Sequence, residues 1–195
     1  MSVEVPISEH LLREPLRQTF QTLQRQTSPE KAGTPSAVLL PLFVRDDDVH
    51  LWFLRRSAGL RSHSGQVAFP GGKKDPTDES MEATALREAH EELGIHPSSV
   101  DVLGVLDDLV TITGYVITPV VGWVPSELVP VPNPNEVARV FAAPLRNFVP
   151  APGDQPVPWP RLGYSVDGEI VWGATAMIAR NLGRLVRQLL QSSSR

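Results

Sequence analysis

Apolar side chains recur with the spacing of a helix face near both ends of the chain. Near the start they are Leu12, Leu16, Phe20 and Leu23. Pro15 falls inside this pattern and must mark a helix start or a kink, because proline cannot donate a backbone hydrogen bond. Near the end, an amphipathic pattern predicts a helix from about residue 174 to residue 190. Both helices are expected to pack against a core rather than to carry chemistry.

Between these helices, short apolar runs separated by turn residues predict a set of strands. Residues 36–45 and 49–56 flank an acidic turn and are expected to form a hairpin of buried strands. The run QVAFPGG leads into an expected Gly-Gly turn, and Asp167-Gly168 is expected to join two later strands. Further strands are predicted at 100–110, 112–124 and 136–144. Because strands outnumber helices and lie between them, the pattern predicts an α/β fold with a mixed sheet and helices on both faces.

A third helical pattern, MEATALREAHEELG, lies in the middle of the chain and predicts a helix over about residues 79–93. Asp78 or Thr77 is expected to cap its start, and Gly94 to end it, since glycine readily adopts the left-handed conformation of a C-cap. Glu79 stands at the expected N-terminus. There it either stabilises the helix dipole or takes part in function, and the sequence favours neither reading.

The composition is that of a folded protein with a weak negative charge. With 41% hydrophobic and 21% charged residues in 195, the chain is expected to form a core. Its 18 Lys and Arg against 22 Asp and Glu argue against a nucleic-acid partner, which needs a basic surface. The lack of cysteine excludes disulfides, thiolate nucleophiles and cysteine-bound metals. No signal peptide or membrane span is recognisable, so a soluble, cytoplasmic protein without a membrane partner is expected.

Three acids of the middle helix carry the sharpest chemical signal. Glu88, Glu91 and Glu92 recur at i, i+3 and i+4 and therefore lie along one strip, beside the apolar stripe that should face the sheet. Acids next to a buried face are costly unless a cation lies between them. Because oxygen ligands select hard ions, the strip predicts a Mg²⁺ or Mn²⁺ site and not a zinc site. A solvated glutamate-rich face is the alternative.

Cations and glycines precede this helix in the sequence. Gly71 and Gly72 allow the backbone to approach a bound phosphate closely, and Lys73 follows them directly. Arg56 and Arg61 lie a short distance upstream, and Arg61 suits a bidentate phosphate contact. These five residues are the candidates for substrate binding. For each of the basic residues, a solvated surface position is the alternative.

In these residues the chain resembles the Nudix hydrolases. Their sequence motif, the Nudix box, contains in order a glycine, a glutamate, an Arg-Glu pair and a Glu-Glu pair. The matching residues are Gly72, Glu79, Arg87, Glu88, Glu91, Glu92, Gly94 and Ile95. Two departures exist: six residues rather than five separate Gly72 from Glu79, and Ala89 replaces a larger aliphatic residue. The extra residue precedes the helix and leaves the carboxylate spacing unchanged.

The stretch RSAGLRSHSGQVAFPGG, residues 56–72, resembles the signature of the Nudix enzymes that hydrolyse coenzyme A. The usual Leu-Leu-Thr lead-in is replaced here by Trp, Phe and Leu at 52–54. The resemblance extends over about residues 36–190. It implies a Nudix hydrolase domain at 36–192 and leaves residues 1–35 as an N-terminal helical extension packed on it. Within the stretch, Leu60, Val67 and Phe69 are expected to form an apolar path for the pantetheine arm.

The resemblance implies a Nudix α/β/α sandwich and metal-dependent hydrolysis of coenzyme A, and of its derivatives, to 3′,5′-ADP and 4′-phosphopantetheine. Glu88 and Glu92, with Glu91 helping, would hold the Mg²⁺ or Mn²⁺. Arg87 is expected to point away from the strip and to orient the glutamates or hold the preceding loop. Glu136 is either an extra ligand or base, or a solvated loop acid. The implied partner is a small molecule, and a homodimer is compatible with the sequence.

Two other functions stay open at this stage. One is a Nudix pyrophosphatase that acts on ADP-ribose, a dinucleotide or an oxidised nucleotide. The other is a catalytically silent Nudix domain that only binds a ligand. The intact acidic trio argues against the silent domain, and the upstream coenzyme A signature argues against the other substrates.

Overall fold

A computed structural model describes residues 6–29, 33–58, 65–151, 153–154 and 162–192. Its α-helices are α1 (Arg13–Thr22), α2 (Met81–Leu93) and α3 (Gly173–Ser192). Its strands are β1 (Thr34–Arg45), β2 (Asp48–Arg56), β3 (Val67–Ala68), β4 (Gly71–Lys73), β5 (Asp101–Val105), β6 (Leu109–Val110), β7 (Tyr115–Trp123), β8 (Val137–Pro144), β9 (Gly163–Val166) and β10 (Glu169–Trp172). Short 3₁₀ turns lie at Glu9–Leu11, Pro97–Ser99 and Leu145–Phe148. No bilayer-spanning helix occurs within these ranges.

The strands form one mixed sheet and one small hairpin. The order through the main sheet is β3-β2-β1-β7-β5, with β4 on β1, β6 on β7 and β8 on β2. β1 and β7 run parallel, whereas the other pairs are antiparallel. β9 and β10 form the hairpin, which is antiparallel.

Helices cover both faces of the sheet, because alternate residues of β1 point to opposite sides and both sets are apolar. Leu39 and Phe43 belong to the core beneath α2, together with the helix residues Ala85, Ala89 and Leu93. Leu40 and Leu42 belong to the opposite core, to which α1 and α3 contribute Leu12, Leu16, Ile178 and Leu182. The predicted α/β/α sandwich is confirmed.

The predicted turns and terminal helices largely match the structure. Asp46 and Asp47 adopt positive φ angles of 53° and 58° between β1 and β2, as a tight hairpin turn requires. Asp167 and Gly168 do the same between β9 and β10, with φ of 51° and 77°. Pro15 lies in the first turn of α1, where no backbone hydrogen bond is lost.

Two local predictions around the middle helix are wrong. α2 begins at Met81 and is capped by Ser80, whose Oγ accepts from the Ala83 amide at 3.1 Å. Thr77 and Asp78 do not cap it, because the Asp78 carboxylate accepts from Arg87 instead, and Glu79 precedes the helix. The expected Gly-Gly turn is strand β4, which pairs antiparallel with β1. The C-cap prediction is confirmed, since Gly94 has a φ of 66°.

Residues 25–28, between α1 and β1, are hydrogen-bonded to the connection between β5 and β6. The Gln26 amide donates to Asp107 Oδ1 at 2.7 Å, and the Ser28 amide donates to Asp108 Oδ2 at 2.8 Å. Arg25 forms an ion pair with Asp108 and donates from Nε to the Leu106 carbonyl at 2.9 Å. These bonds turn the chain at 106–108, so the strand predicted over 100–110 is split into β5 and β6.

Candidate active site

A cavity of about 780 Å³ is bounded by β4, by the C-terminal half of α2, by the β6–β7 connection and by the start of α3. Carboxylates of Glu88, Glu92 and Glu136 line it, together with the cationic side chains of Arg56 and Lys73. All other lining residues in the described part of the chain are neutral. The cavity therefore brings acids and cations together in one place, as a site for a metal-bound anion would need.

Glu92 is the most deeply buried of these acids, with a relative exposure of 1%. Its Oε1 accepts from Arg56 Nη1 at 2.8 Å, and its Oε2 accepts from the Gly71 amide at 2.9 Å. Burial raises the pKa of Glu92 to about 7, although both donors favour the charged form. Both oxygens of this carboxylate are thus held by the protein itself.

Glu88 lies one helical turn earlier, directly beneath β4. A Cβ atom built on Gly72 would lie 2.4 Å from Glu88 Oε1, so only glycine allows the strand to pass so close to the carboxylate. Burial raises the pKa of Glu88, the Arg87 guanidinium opposes that rise, and the charges of Glu91 and Glu136 add to it. A cation at this position would offset the cost of keeping both Glu88 and Glu92 charged.

Arg87 connects the acidic strip to the loop before the helix. Its Nη1 donates to Glu88 Oε1 at 3.0 Å and to Glu91 Oε2 at 3.1 Å, while Nη2 donates to the Lys73 carbonyl at 3.1 Å. The prediction that Arg87 points away from the strip is wrong, because its long side chain folds back along the helix surface. Its contacts do match the expected role of orienting the glutamates and holding the loop.

Asp78 is the counter-ion at the other end of this network. Its two carboxylate oxygens accept from Arg87 Nε and Nη2, each at 3.0 Å, and Oδ2 also accepts from Thr84 Oγ1 at 2.9 Å. The Arg87 guanidinium holds the pKa of Asp78 well below its usual range. The pair therefore stabilises the junction between β4 and α2.

Asp78→Asn should lower the free energy of unfolding at neutral pH by about 1–3 kcal/mol, because it weakens charge-assisted hydrogen bonds to Arg87. A group with a depressed pKa stabilises the fold above its unfolded pKa of about 3.9 and loses that effect as the pH falls further. The difference between variant and wild type should therefore shrink below about pH 4. Urea unfolding at several pH values measures it, with Glu127→Gln, at an exposed acid outside this network, as the control. An equal effect of both substitutions would contradict this role.

The cavity brings together most, but not all, of the predicted site residues. Glu91 is outside the lining, with a side chain 52% exposed and paired with Arg87. Lys73 lines the cavity, and its Nζ lies 5.7 Å from the centre of the Tyr115 ring. Arg61 lies outside the described residues. Glu136, for which the sequence left two readings, lies in the cavity wall.

The sequence did not predict most of the apolar wall of the cavity. Val67 and Phe69 line the cavity as expected, whereas Leu60 lies outside the described residues. Besides Ala37, Val38 and Ala68, the remaining apolar wall comes from two segments, residues 109–117 and residues 172–178: Leu109, Val110, Ile112, Tyr115, Ile117, Trp172, Ala174, Met177 and Ile178. Ile112 is 86% exposed and Trp172 is 44% exposed. The sequence holds no clear signal for these residues, because a single apolar side chain at a turn is common and only a contiguous exposed patch marks a binding surface.

The donor set fits a hard divalent cation. Glu88 and Glu92 present desolvated oxygens from one helix, and Glu136 lines the same cavity. As the side chains stand, no three His, Asp or Glu residues of the described ranges converge as a metal-binding group. Here Arg56 donates to Glu92 and Arg87 donates to Glu88. A cation bound by these carboxylates would therefore lie close to an arginine that already pairs with them.

Residues 33–157 match the family model of the NUDIX domain, and the chain belongs to the Nudix family. It is a Nudix hydrolase, an enzyme that acts on nucleoside diphosphate derivatives, and enzymes of this family generally use divalent metals. The match includes the acidic strip of α2 and the strand β4 above it.

Individual relatives agree with this assignment. The chain is 42% identical over 170 residues to NudL of Escherichia fergusonii, an uncharacterized Nudix hydrolase, covering 84% of this chain and 88% of the relative. NudL of Cronobacter sakazakii is 41% identical over the same shares. Among solved structures, the Nudix hydrolase RenU of M. smegmatis aligns with a TM-score of 0.54 and 18% identity, covering 83% of this chain and 86% of that one. A C. elegans Ap4A hydrolase aligns with a TM-score of 0.53 and 14% identity, covering 83% and 98%. These two similarities support the fold.

Proposed function

We propose that this Nudix hydrolase cleaves the pyrophosphate bond of coenzyme A and its derivatives. The observation that carries the proposal is a cavity in which buried acids and two cations share walls with a long neutral, apolar lining. Coenzyme A has a charged diphosphate joined to an uncharged pantetheine arm with geminal methyl groups. The walls also carry hydroxyl and amide side chains, but their long apolar stretch matches the pantetheine arm better than it matches the second ribose of ADP-ribose.

The residues upstream of the acidic strip support the same substrate. The segment that resembles the coenzyme A signature supplies Arg56, Val67, Phe69, Gly71 and Gly72 to the cavity. The described residues of this segment that line the cavity support the proposal. A cytoplasmic location and the division at residues 35 and 36 stay predictions.

Different residues are proposed to bind the diphosphate, the pantetheine arm and the metal ion. Arg56 and Lys73 would neutralise the diphosphate, while Leu109, Ile117 and Met177 would bind the pantetheine arm and exclude water from it. Glu88 and Glu92 would hold the Mg²⁺ or Mn²⁺, with Glu91 acting through Arg87. When bound, the cation supplies charge neutralisation and lowers the pKa of water. Water then adds to one phosphorus atom as the bridging P–O bond breaks, which gives 3′,5′-ADP and 4′-phosphopantetheine.

Product analysis tests the proposal directly. The protein is incubated separately with coenzyme A, ADP-ribose and NADH in the presence of Mg²⁺ or Mn²⁺, and the products are identified by mass. The expected result is conversion of coenzyme A to the two products above, with the highest kcat/KM of the three substrates. A higher kcat/KM for ADP-ribose or NADH would assign the enzyme to another Nudix substrate class.

Removal of divalent metal should abolish turnover. The deep burial of Glu92 and the raised pKa of Glu88 both indicate that the acids need a cation to be charged together in the reacting state. Chelation followed by dialysis should reduce the rate to background, and added Mg²⁺ or Mn²⁺ should restore it. Undiminished turnover by protein that is free of metal by elemental analysis would refute this requirement.

Arg61 is proposed to bind the 3′-phosphate of coenzyme A. Dephospho-coenzyme A should then be the poorer substrate, and Arg61→Ala should erode that preference, since a charge-assisted phosphate contact contributes about 1.5–3 kcal/mol. The kcat/KM values of both substrates with wild type and variant measure the effect. An unchanged ratio between the two substrates would instead indicate that Arg61 supports the loop.

A further inference from the structure

Arg56 connects the acidic strip with the open part of the cavity. It is the last residue of β2, and it lies two positions after Leu54, which packs in the core beneath α2. Arg56 also reaches toward α2, although the pairing of β2 with β8 is irregular between Arg55 and Arg56. There its Nη1 donates to Glu92 Oε1 at 2.8 Å. The arginine side chain is 23% exposed, whereas that of Glu92 is 1% exposed.

The guanidinium group is only partly used by this ion pair. Glu92 engages one nitrogen, Nη1, and within the described residues Nε and Nη2 form no hydrogen bond. Arg56 also lines the cavity beside Glu88 and Lys73. A planar guanidinium can bind a diphosphate oxygen along a free edge, but its position here is set by the carboxylate.

We infer that Arg56 serves as the internal counter-ion of Glu92 in the free protein and passes to the diphosphate of the substrate when a divalent cation binds Glu92. The inference rests on the proposed function, because it takes Glu92 to be a cation ligand. Glu92 Oε2 accepts from the Gly71 amide and Oε1 accepts from Arg56, so we take Oε1 to be the oxygen at which the cation replaces Arg56.

The consequence is that cation and substrate bind cooperatively. A cation that arrives alone must displace Arg56 and leave a guanidinium close to a second positive charge. With a diphosphate present, Arg56 gains a new partner, and the same displacement costs less. Because such coupling is reciprocal, the diphosphate should bind more tightly when the cation is present, by the same factor.

The test measures Mn²⁺ affinity without turnover. Titration calorimetry at about pH 8.5, where Glu92 is mainly charged, gives the Kd for Mn²⁺ with and without α,β-methylene-ADP, a non-hydrolysable diphosphate. Binding of Mn²⁺ to the nucleotide in solution is measured separately and subtracted. For the wild type, the analogue should tighten Mn²⁺ binding on the order of tenfold. Affinities that are equal with and without the analogue would overturn the inference.

Arg56→Gln removes the competing cation. Without the analogue, this variant should bind Mn²⁺ on the order of tenfold more tightly than wild type, and the analogue should add little. Arg56→Lys, which keeps the charge, should stay near the wild-type value. Arg55→Gln is the matched control, because Arg55 precedes it on the same strand, pairs with Glu169 at 3.3 Å and should leave Mn²⁺ binding unchanged. Unchanged or weaker Mn²⁺ binding by Arg56→Gln would overturn the inference.

The wild-type measurement keeps the test decisive if Arg56→Gln fails to fold. Different results would contradict the proposed cation site and the proposed role of Arg56. If the wild type binds no Mn²⁺, or if Glu92→Gln binds it as well as wild type does, the proposed cation site is wrong. If Glu92→Gln loses Mn²⁺ while Arg56→Gln matches the wild type, only the role of Arg56 is wrong.

Discussion

Glu92→Gln should lower kcat by at least about two orders of magnitude, which corresponds to about 2.7 kcal/mol of lost transition-state stabilisation. The substitution keeps the shape of the side chain and removes its charge, and so removes one of the two desolvated carboxylates proposed to hold the cation. The fold should persist, because the glutamine oxygen can still accept from the Gly71 amide or from Arg56. Initial rates at saturating coenzyme A and Mg²⁺ measure the loss, and thermal unfolding tests the fold.

Glu82→Gln is the matched control for this experiment. The substitution is the same chemical change on the same helix, but Glu82 lies in the first turn and outside the cavity lining. Its substitution should leave kcat within about twofold of wild type, because it alters only a weak interaction with the helix dipole. Near-native activity of Glu92→Gln, or a variant that does not fold, would count against the role assigned to Glu92.

Gly72→Ala should abolish most of the activity while sparing the fold. The added methyl group would lie 2.4 Å from Glu88 Oε1 and 2.5 Å from its Cδ, so the carboxylate must move away. The nearest atoms belong to the end of a flexible side chain, which can rotate at little cost to stability. We expect kcat to fall on the order of a hundredfold, since misplacing a group by about 1 Å can have that effect.

Alanine substitutions at two other glycines are controls. They distinguish displacement of the Glu88 carboxylate from a general effect of an added methyl group. At Gly71 the new Cβ would lie 2.3 Å from the Ala37 carbonyl oxygen, a backbone clash that should destabilise the β1–β4 pair. At Gly163 it would meet only the Val171 carbonyl at 3.7 Å, an ordinary contact. Gly71→Ala should therefore lower the melting temperature, Gly163→Ala should change little, and Gly72→Ala should resemble wild type in melting but not in rate. Full activity of Gly72→Ala would show that the position of Glu88 is unimportant.

The features that could be predicted from the sequence depend on residues close together in the chain. The spacing of Leu12, Leu16 and Phe20 follows from one helix face, and the positive φ at Asp46 follows from the geometry of one tight turn. The alignment of Glu88 with Glu92 needs only the pitch of a helix. Such patterns are local, so they are readable without knowledge of the tertiary structure.

The features that sequence reasoning missed depend on distant partners. Gly71 and Gly72 form a strand rather than a turn because they pair with residues 36–38 of β1, more than thirty residues earlier, where β2 does not pair with β1. The ion pair between Arg56 and Glu92 joins residues 36 positions apart. Ile112 and Trp172 share a cavity only because β7 and the end of β10 are brought together by the fold. Contacts of this kind cannot be predicted from residues that are neighbours in the sequence.

The bonds from Arg25, Gln26 and Ser28 to residues 106–108 have a consequence for how the enzyme could be shortened. The next residues, Leu109 and Val110, form part of the cavity wall, so the segment before β1 supports that wall from outside. A chain cut at residue 36 would lose Thr34 and Pro35 from β1, and with α1 it would lose the buried side chains of Leu12 and Leu16 from the core. Thermal stability should therefore fall together with substrate affinity, because the same segment fills the core and supports the cavity wall. The residues before β1 would then belong to the smallest unit that folds as well as to the smallest unit that binds substrate.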